Sequence, residues 1–120
     1  MVRRPAATAA LLLCVALAAC GGSTPKRAAV AASVAIKTFA FRPQRLTVPA
    51  GTTVTWRNTD QILHTATSGT SPAAKTGLFD GSMNGAGKVF RFRFTAPGTY
   101  PYFCTRHPTV PSMHGTIAVT

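Results

Sequence analysis

The sequence predicts an all-β fold, a β-sandwich of about six to eight short strands. From Ser33 onward, apolar residues alternate with polar or small residues at a period of two, which is typical of half-buried strands. Proline and glycine recur between these segments as turn signals, and no segment after the N-terminal region has a convincing helical pattern. A chain of 120 residues is long enough for one compact domain but not two, so we expect a single domain over 33–120.

The predicted strands follow one another with turn residues between them. The apolar positions of the first three are Val34, Ile36, Leu46, Val48, Val54 and Trp56, with Pro43, Pro49 and Gly51 at the turns. The clearest strand is 88–94, in which three phenylalanines alternate with Arg91 and Arg93. This pattern is typical of a half-buried antiparallel strand with one solvent-exposed face. Two further strands are expected at 99–104 and 115–120, on either side of a proline-bounded loop. The segment 68–84 is rich in Gly, Ser and Thr, and we expect it to cross irregularly between the sheets.

The N-terminal region has the pattern of an export signal. Arg3 and Arg4 precede an apolar run that is too short for a membrane span, and small residues lead into Cys20. The segment 17–20 resembles the lipobox of bacterial lipoproteins, in which the cysteine is acylated and becomes the mature N-terminus. The resemblance implies a signal peptide over 1–19, lipidation of Cys20 and a flexible tether over 20–32; the alternative is an ordinary cleaved signal in which Cys20 is incidental.

The charge of the chain is strongly one-sided, with 13 Lys+Arg against 2 Asp+Glu and a net charge of +11. Such a surface favours acidic proteins, anionic envelope polymers or lipid headgroups. No motif of a known nucleic-acid-binding fold is recognisable, so we expect no nucleic acid partner.

Four side chains have the character of ligands for a soft transition metal. Cys104, His107 and Met113 offer a thiolate, an imidazole and a thioether on one short loop, which suits copper best. The loop needs another ligand, and His64 is the one histidine outside this stretch. Alternatives remain: Cys104 as an inert core thiol, His64 as a structural histidine, zinc in place of copper, and His114 in place of Met113. Because strand residues alternate in direction, Met113 and His114 cannot both be ligands.

These features together resemble the plastocyanin/cupredoxin family of blue copper proteins. The resemblance rests on the strand 54–60 leading to His64, the Phe79-Asp80 turn, Pro97-Gly98-Thr99-Tyr100, and Cys104-x-x-His107 followed by Met113-His114-Gly115. It implies a Greek-key β-sandwich with one type 1 copper site. In that site His64, Cys104 and His107 are equatorial ligands and Met113 is the weak axial ligand, as in electron-transfer copper sites.

The resemblance implies a one-electron carrier. With the lipobox and the basic charge, we expect a monomer at the cell envelope that is tethered to the membrane by its lipid anchor and serves an acidic redox partner protein. The alternative is a copper-binding or copper-delivery protein that uses the same ligands. We expect no enzymatic activity, because three histidines cannot build the three-copper cluster of a multicopper oxidase.

Overall fold

Nine β-strands make up most of residues 31–120, the part of the chain that the computed structural model describes. The strands are β1 (Ala31–Ile36), β2 (Phe41–Arg42), β3 (Arg45–Val48), β4 (Thr52–Asn58), β5 (Leu63–Gly69), β6 (Lys75–Asn84), β7 (Val89–Phe94), β8 (Gly98–Phe103) and β9 (His114–Val119), with a 3-10 helix at Pro111–Met113. Within this range no helix is long and apolar enough to cross a membrane. The predicted signal peptide, Cys20 and positions 20–30 of the predicted tether lie outside the described residues.

The strands form two sheets, which confirms the predicted β-sandwich. The first sheet has the order β2-β1-β4-β7 and the second the order β3-β9-β8-β5-β6. The pairs β1–β4 and β3–β9 are parallel, and the other paired strands are antiparallel. The count of nine exceeds the expected six to eight, because the two-residue β2 and the long β6 carry no clear strand signal in the sequence.

The core lies between the inner faces of the two sheets and is rich in aromatic rings. Trp56 of β4 is fully buried, and its ring centroid lies 5.5 Å from that of Phe79 in β6 and 5.3 Å from that of Tyr102 in β8. Such tilted and edge-on ring pairs add to the stabilisation from burial. This packing joins β4 to β8 across the sandwich, directly below the loop that follows β8.

The expectation of an irregular crossing over 68–84 is wrong. Lys75–Asn84 is a ten-residue strand that pairs antiparallel with β5, and only 70–74 remain as a turn between them. The inward positions of β6 include Phe79 and Met83, but Gly81 lies between them and interrupts the apolar alternation. Glycine is needed there because a Cβ would lie 2.1 Å from a ring carbon of Phe90. The strand signal was therefore hidden by a packing requirement from the facing sheet.

Candidate metal centre

The loop from Cys104 to Met113 is closed on itself by backbone hydrogen bonds. The N–H of His107 donates to the carbonyl of Cys104 (3.2 Å), that of Val110 to His107 (3.2 Å), and that of Met113 to Val110 (2.9 Å). The N–H of Cys104 donates to the carbonyl of Met113 (3.0 Å) and so ties the two ends together. Three successive tight turns with joined ends leave the loop little freedom, which fixes the positions of its side chains.

His64 reaches this loop because β5 and β8 are neighbours in the second sheet. Its Nδ1 lies 3.8 Å from Cys104 Sγ, and His107 Nδ1 lies 3.6 Å from the same sulfur. The ligand atoms of all three residues lie within 4.8 Å of one another. His64 and Cys104 are fully buried, and His107 is half-buried.

These spacings fit a single metal ion held by all three side chains. Metal–sulfur and metal–nitrogen bonds of about 2.3 and 2.0–2.1 Å, meeting at roughly 110–120°, place sulfur and nitrogen about 3.5–3.8 Å apart. The two sulfur–nitrogen distances, 3.6 and 3.8 Å, lie within that interval. One thiolate with two imidazoles is the equatorial set of a blue copper site.

A carboxylate that was not identified from the sequence orients His64. His64 Nε2 lies 2.9 Å from Asp60 Oδ2, and since an ionised carboxylate only accepts hydrogen bonds, Nε2 carries the proton. Nδ1 therefore presents its lone pair toward Cys104. The same carboxylate accepts the N–H groups of Thr38 (2.8 Å) and Phe39 (3.0 Å).

The pKa of Asp60 is lowered by these contacts. Burial raises it, but the hydrogen bonds from the Phe39 and Thr38 N–H groups, followed by the bond and charge of His64, outweigh that effect. Asp60 is one of two acidic residues in the chain and lies four positions before His64. That rarity and spacing were the available sequence signal.

An aromatic ring that was not identified from the sequence covers both histidines. Phe39 is 41% exposed, and its ring meets those of His64 and His107 edge-on, with centroids 5.5 and 5.0 Å away. Thr38 and Phe39 adopt the left-handed conformation, with φ of 52° and 56°, which is uncommon for residues other than glycine. Asp60 holds this turn through its two backbone contacts, and the Ser112 hydroxyl donates to the Phe39 carbonyl. No sequence pattern marks such a turn.

The sulfur of Cys104 receives a hydrogen bond from the backbone of β5. The N–H of Thr65 lies 3.3 Å from Sγ, and the Thr65 hydroxyl accepts the N–H of Thr105 at 2.9 Å. Hydrogen bonding at the cysteine sulfur is one of the factors that tune the potential of such sites. Cys104 is a free cysteine, buried within the described residues.

Met113 and His114 have different surroundings. Met113 is fully buried in the same apolar cluster as Cys104. His114 is half-buried; its Nε2 donates to the carbonyl of Pro108 at 2.7 Å, and its ring stacks on Phe103 at 5.8 Å. The side chain of Gln44, a further residue not identified from the sequence, donates to two carbonyls at the C-terminal end of this loop.

His107 is the ligand candidate nearest the surface. It lines a shallow depression together with Ile62, Leu63, Thr105 and Arg106. Its pKa is lowered, first by burial and then by electrostatic repulsion from His64, when that residue is protonated, and from Arg106. A lowered pKa keeps the imidazole neutral to lower pH, so that its Nδ1 remains available to a metal in the metal-free protein.

Comparison with known proteins agrees with this geometry. Residues 28–120 match the family model described as copper binding proteins, plastocyanin/azurin family. The chain is 34% identical over 105 residues to amicyanin-alpha from Methylorubrum extorquens, which covers 86% of this chain and 87% of that protein. It is 34% identical over 86 residues to plastocyanin from Scenedesmus fuscus, covering 66% of this chain and 85% of that protein.

Solved structures are similar as well. A purple cupredoxin from Nitrosopumilus maritimus superposes with a TM-score of 0.65 at 30% identity, covering 74% of this chain and 99% of that one. A variant of amicyanin in its Cu(I) form superposes with a TM-score of 0.62 at 28% identity, covering 75% of this chain and 82% of that one.

Proposed function

We propose that this chain, which belongs to the plastocyanin/azurin family of copper binding proteins, is a one-electron carrier rather than an enzyme. Copper is its cofactor, and the described residues contain a His-Cys-His group that could hold it. When bound, copper supplies a Cu(II)/Cu(I) couple. The observation that carries the proposal is that one buried thiol and two Nδ1 atoms meet at the spacing of a single metal ion.

The rigidity of the ligand set favours electron transfer. The loop from Cys104 to Met113 is tied at both ends, and His64 is fixed by Asp60 on a paired strand. Ligands that stay in place offer one compromise geometry to both oxidation states, so little has to move during transfer. Burial of the ligands also favours a carrier over a copper-delivery protein. His64 and Cys104 are fully buried, so metal release would require the site to open.

The proposal is tested by the absorption spectrum of the copper-loaded full chain. An intense visible band from thiolate-to-Cu(II) charge transfer is expected, and Cys104→Ser should abolish it. A colourless cupric protein would refute the assignment. A carrier should also keep its metal against a copper chelator and cycle reversibly between oxidation states. Rapid loss of the metal to the chelator, with the coloured site otherwise intact, would favour delivery.

We propose Met113 as the axial ligand. Its side chain is buried in the same apolar cluster as Cys104, whereas the Nε2 of His114 is already engaged with the carbonyl of Pro108. Met113→Leu keeps the apolar volume and should change the visible spectrum and the reduction potential. His114→Gln should leave both nearly unchanged. The opposite result would assign the axial position to His114.

We propose His107 as the point of electron exchange and Arg106 as a guide for an acidic partner protein. His107 lies at a surface depression, Arg106 is exposed beside it, and Phe39 and Ile62 are exposed apolar residues. Positive charge near such a port speeds the approach of anions. Oxidation of the reduced protein by ferricyanide should be about tenfold slower at low salt in Arg106→Glu than in Lys75→Glu, a variant with the same net charge. Equal rates in both variants, or no dependence on ionic strength, would refute the guiding role.

We further propose that the protein lies at the cell envelope, with the signal peptide over 1–19 removed and Cys20 lipidated. The small residues before Cys20 support this, as does the apolar run that precedes them. The full chain, expressed in a bacterium, should fractionate with membranes and carry the added mass of acyl chains. The Cys20→Ser variant should lack the added mass of the acyl chains. An unmodified Cys20 in the membrane-bound protein would refute the proposed lipid anchor.

A further inference from the structure

The outer face of the first sheet carries four arginines. They are Arg42, Arg57, Arg91 and Arg93, on β2, β4 and β7, and all are exposed. Each follows a residue whose side chain belongs to the core or packs against it, so alternation directs the arginines outward. These four residues are called the arginine face below.

Strand pairing places the four arginines on one surface. Ala35 of β1 pairs with Arg42 on one side and with Arg57 on the other. On the neighbouring strands, Thr55 pairs with Arg91 and Thr53 with Arg93. Across three strand spacings the face is about 14 Å wide. The residues between them on this face, Ala35, Thr53 and Thr55, have short side chains.

No carboxylate neutralises the arginine face. The whole chain has 2 Asp+Glu, namely Asp60 and Asp80. Asp60 pairs with His64, and Asp80 lies on β6 of the other sheet, where the Thr67 hydroxyl donates to it at 2.7 Å. Like-charged arginines on one sheet repel one another, and a polyanionic surface would relieve that repulsion. Guanidinium groups are well suited to phosphate because they can donate two parallel hydrogen bonds.

We propose that the arginine face is a docking surface for a bilayer that contains anionic phospholipids. A cationic face with short side chains between its arginines matches the array of phosphates at such a bilayer. Nucleic acid is a poorer match, because no outward position of the described strands β1, β2, β4 and β7 carries an aromatic ring on which bases could stack. A redox partner is also a poorer match, since His64, Cys104, His107 and Met113 all belong to the second sheet and its loops. Contact through the first sheet leaves the exposed edge of His107 free for that partner.

The inference is independent of copper binding and of lipidation, so the test uses metal-free protein without a lipid anchor. All proteins are the full chain with Cys20→Ser, so that no acyl chain contributes. Binding to phosphatidylcholine vesicles with and without phosphatidylglycerol is measured by co-sedimentation. Arg57→Gln/Arg91→Gln changes the face, and Arg45→Gln/Lys75→Gln removes the same charge from strands of the second sheet.

Each basic residue near an anionic bilayer strengthens binding about fivefold, so the face variant should bind about 25-fold more weakly to the anionic vesicles. The control variant should lose much less, and salt should weaken the binding of the unaltered face. Equal losses in both variants would show a net-charge effect and overturn the proposal. Equal binding to vesicles without phosphatidylglycerol would also overturn it. Absence of vesicle binding, with poly-glutamate binding that depends on Arg57 and Arg91, would assign the face to an acidic protein instead.

Discussion

The carboxylate of Asp60 links the metal centre to the β1–β2 turn, and its replacement by asparagine tests that link. Asp60 accepts three hydrogen bonds, from the Thr38 N–H, the Phe39 N–H and His64 Nε2. Asparagine has one acceptor oxygen, so its amide group must face at least one of these donors. A lost hydrogen bond to a charged group is worth about 1.5–3 kcal/mol, and the exposed turn can recover part of it from water. We therefore expect Asp60→Asn to lower the free energy of unfolding of the metal-free protein by about 1–3 kcal/mol.

Copper binding should weaken as well. Residues that orient a metal-ligating histidine typically contribute 10–100-fold to metal affinity, so Asp60→Asn should lower the copper affinity by about that factor. The matched control is Asp80→Asn, which removes the same charge from an exposed residue of β6. Urea unfolding of the metal-free proteins and competition with a copper chelator measure the two effects. If both variants unfold at the same urea concentration and hold copper equally, the orienting role of Asp60 is refuted.

The pH dependence of stability gives an independent check on the same residue. The pKa of Asp60 in the folded protein lies below its ordinary value of 3.8, so folding favours the ionised carboxylate. Its contribution to stability is fully present above about pH 4 and is lost as the pH falls below that value. The difference in unfolding free energy between the unaltered protein and Asp60→Asn should therefore shrink on acidification. A difference that stays constant would contradict this account.

Three further changes test the packing and the cofactor. Gly115→Ala would place a Cβ 2.3 Å from Cζ of Tyr102, so it should lower the free energy of unfolding by about 1–3 kcal/mol. Urea titration measures this effect, and an unchanged midpoint of urea unfolding would contradict it. Phe39→Ala removes two edge-on ring contacts, each worth about 0.5–1.5 kcal/mol. It should speed copper loss to a chelator more than Phe39→Leu does. Equal rates of copper loss in the two variants would show that side-chain bulk at this position does not shield the site. Removal of copper should lower the melting temperature. When free copper stands at 1,000 times its dissociation constant, the lost stabilisation is about 4 kcal/mol. Identical melting curves with and without copper would show that copper does not bind the folded form.

Much of the fold was predictable because strand alternation is a local property. The three phenylalanines of β7 and the alternation through Trp56 identify their strands from sequence alone. The alternation failed at β6, where Gly81 occupies an inward position to make room for Phe90. That requirement comes from the other sheet, so no local pattern reveals it. The parallel pairing of β1 with β4 was likewise not apparent, because it joins segments that are distant in the chain.

What the sequence by itself determined is the chemistry of the candidate ligands: one thiol, two imidazoles and a thioether, with only three histidines from which to choose. Ligand chemistry belongs to the side chain, and the spacing of Cys104, His107 and Met113 on one loop is a local feature. Only the tertiary structure decided which nitrogen of His64 faces the sulfur, because that depends on Asp60 and its hydrogen bond. It also placed Phe39 over both histidines and gathered four arginines on one sheet face. These arrangements depend on contacts between residues far apart in the chain, and such contacts form only when the two sheets pair and pack.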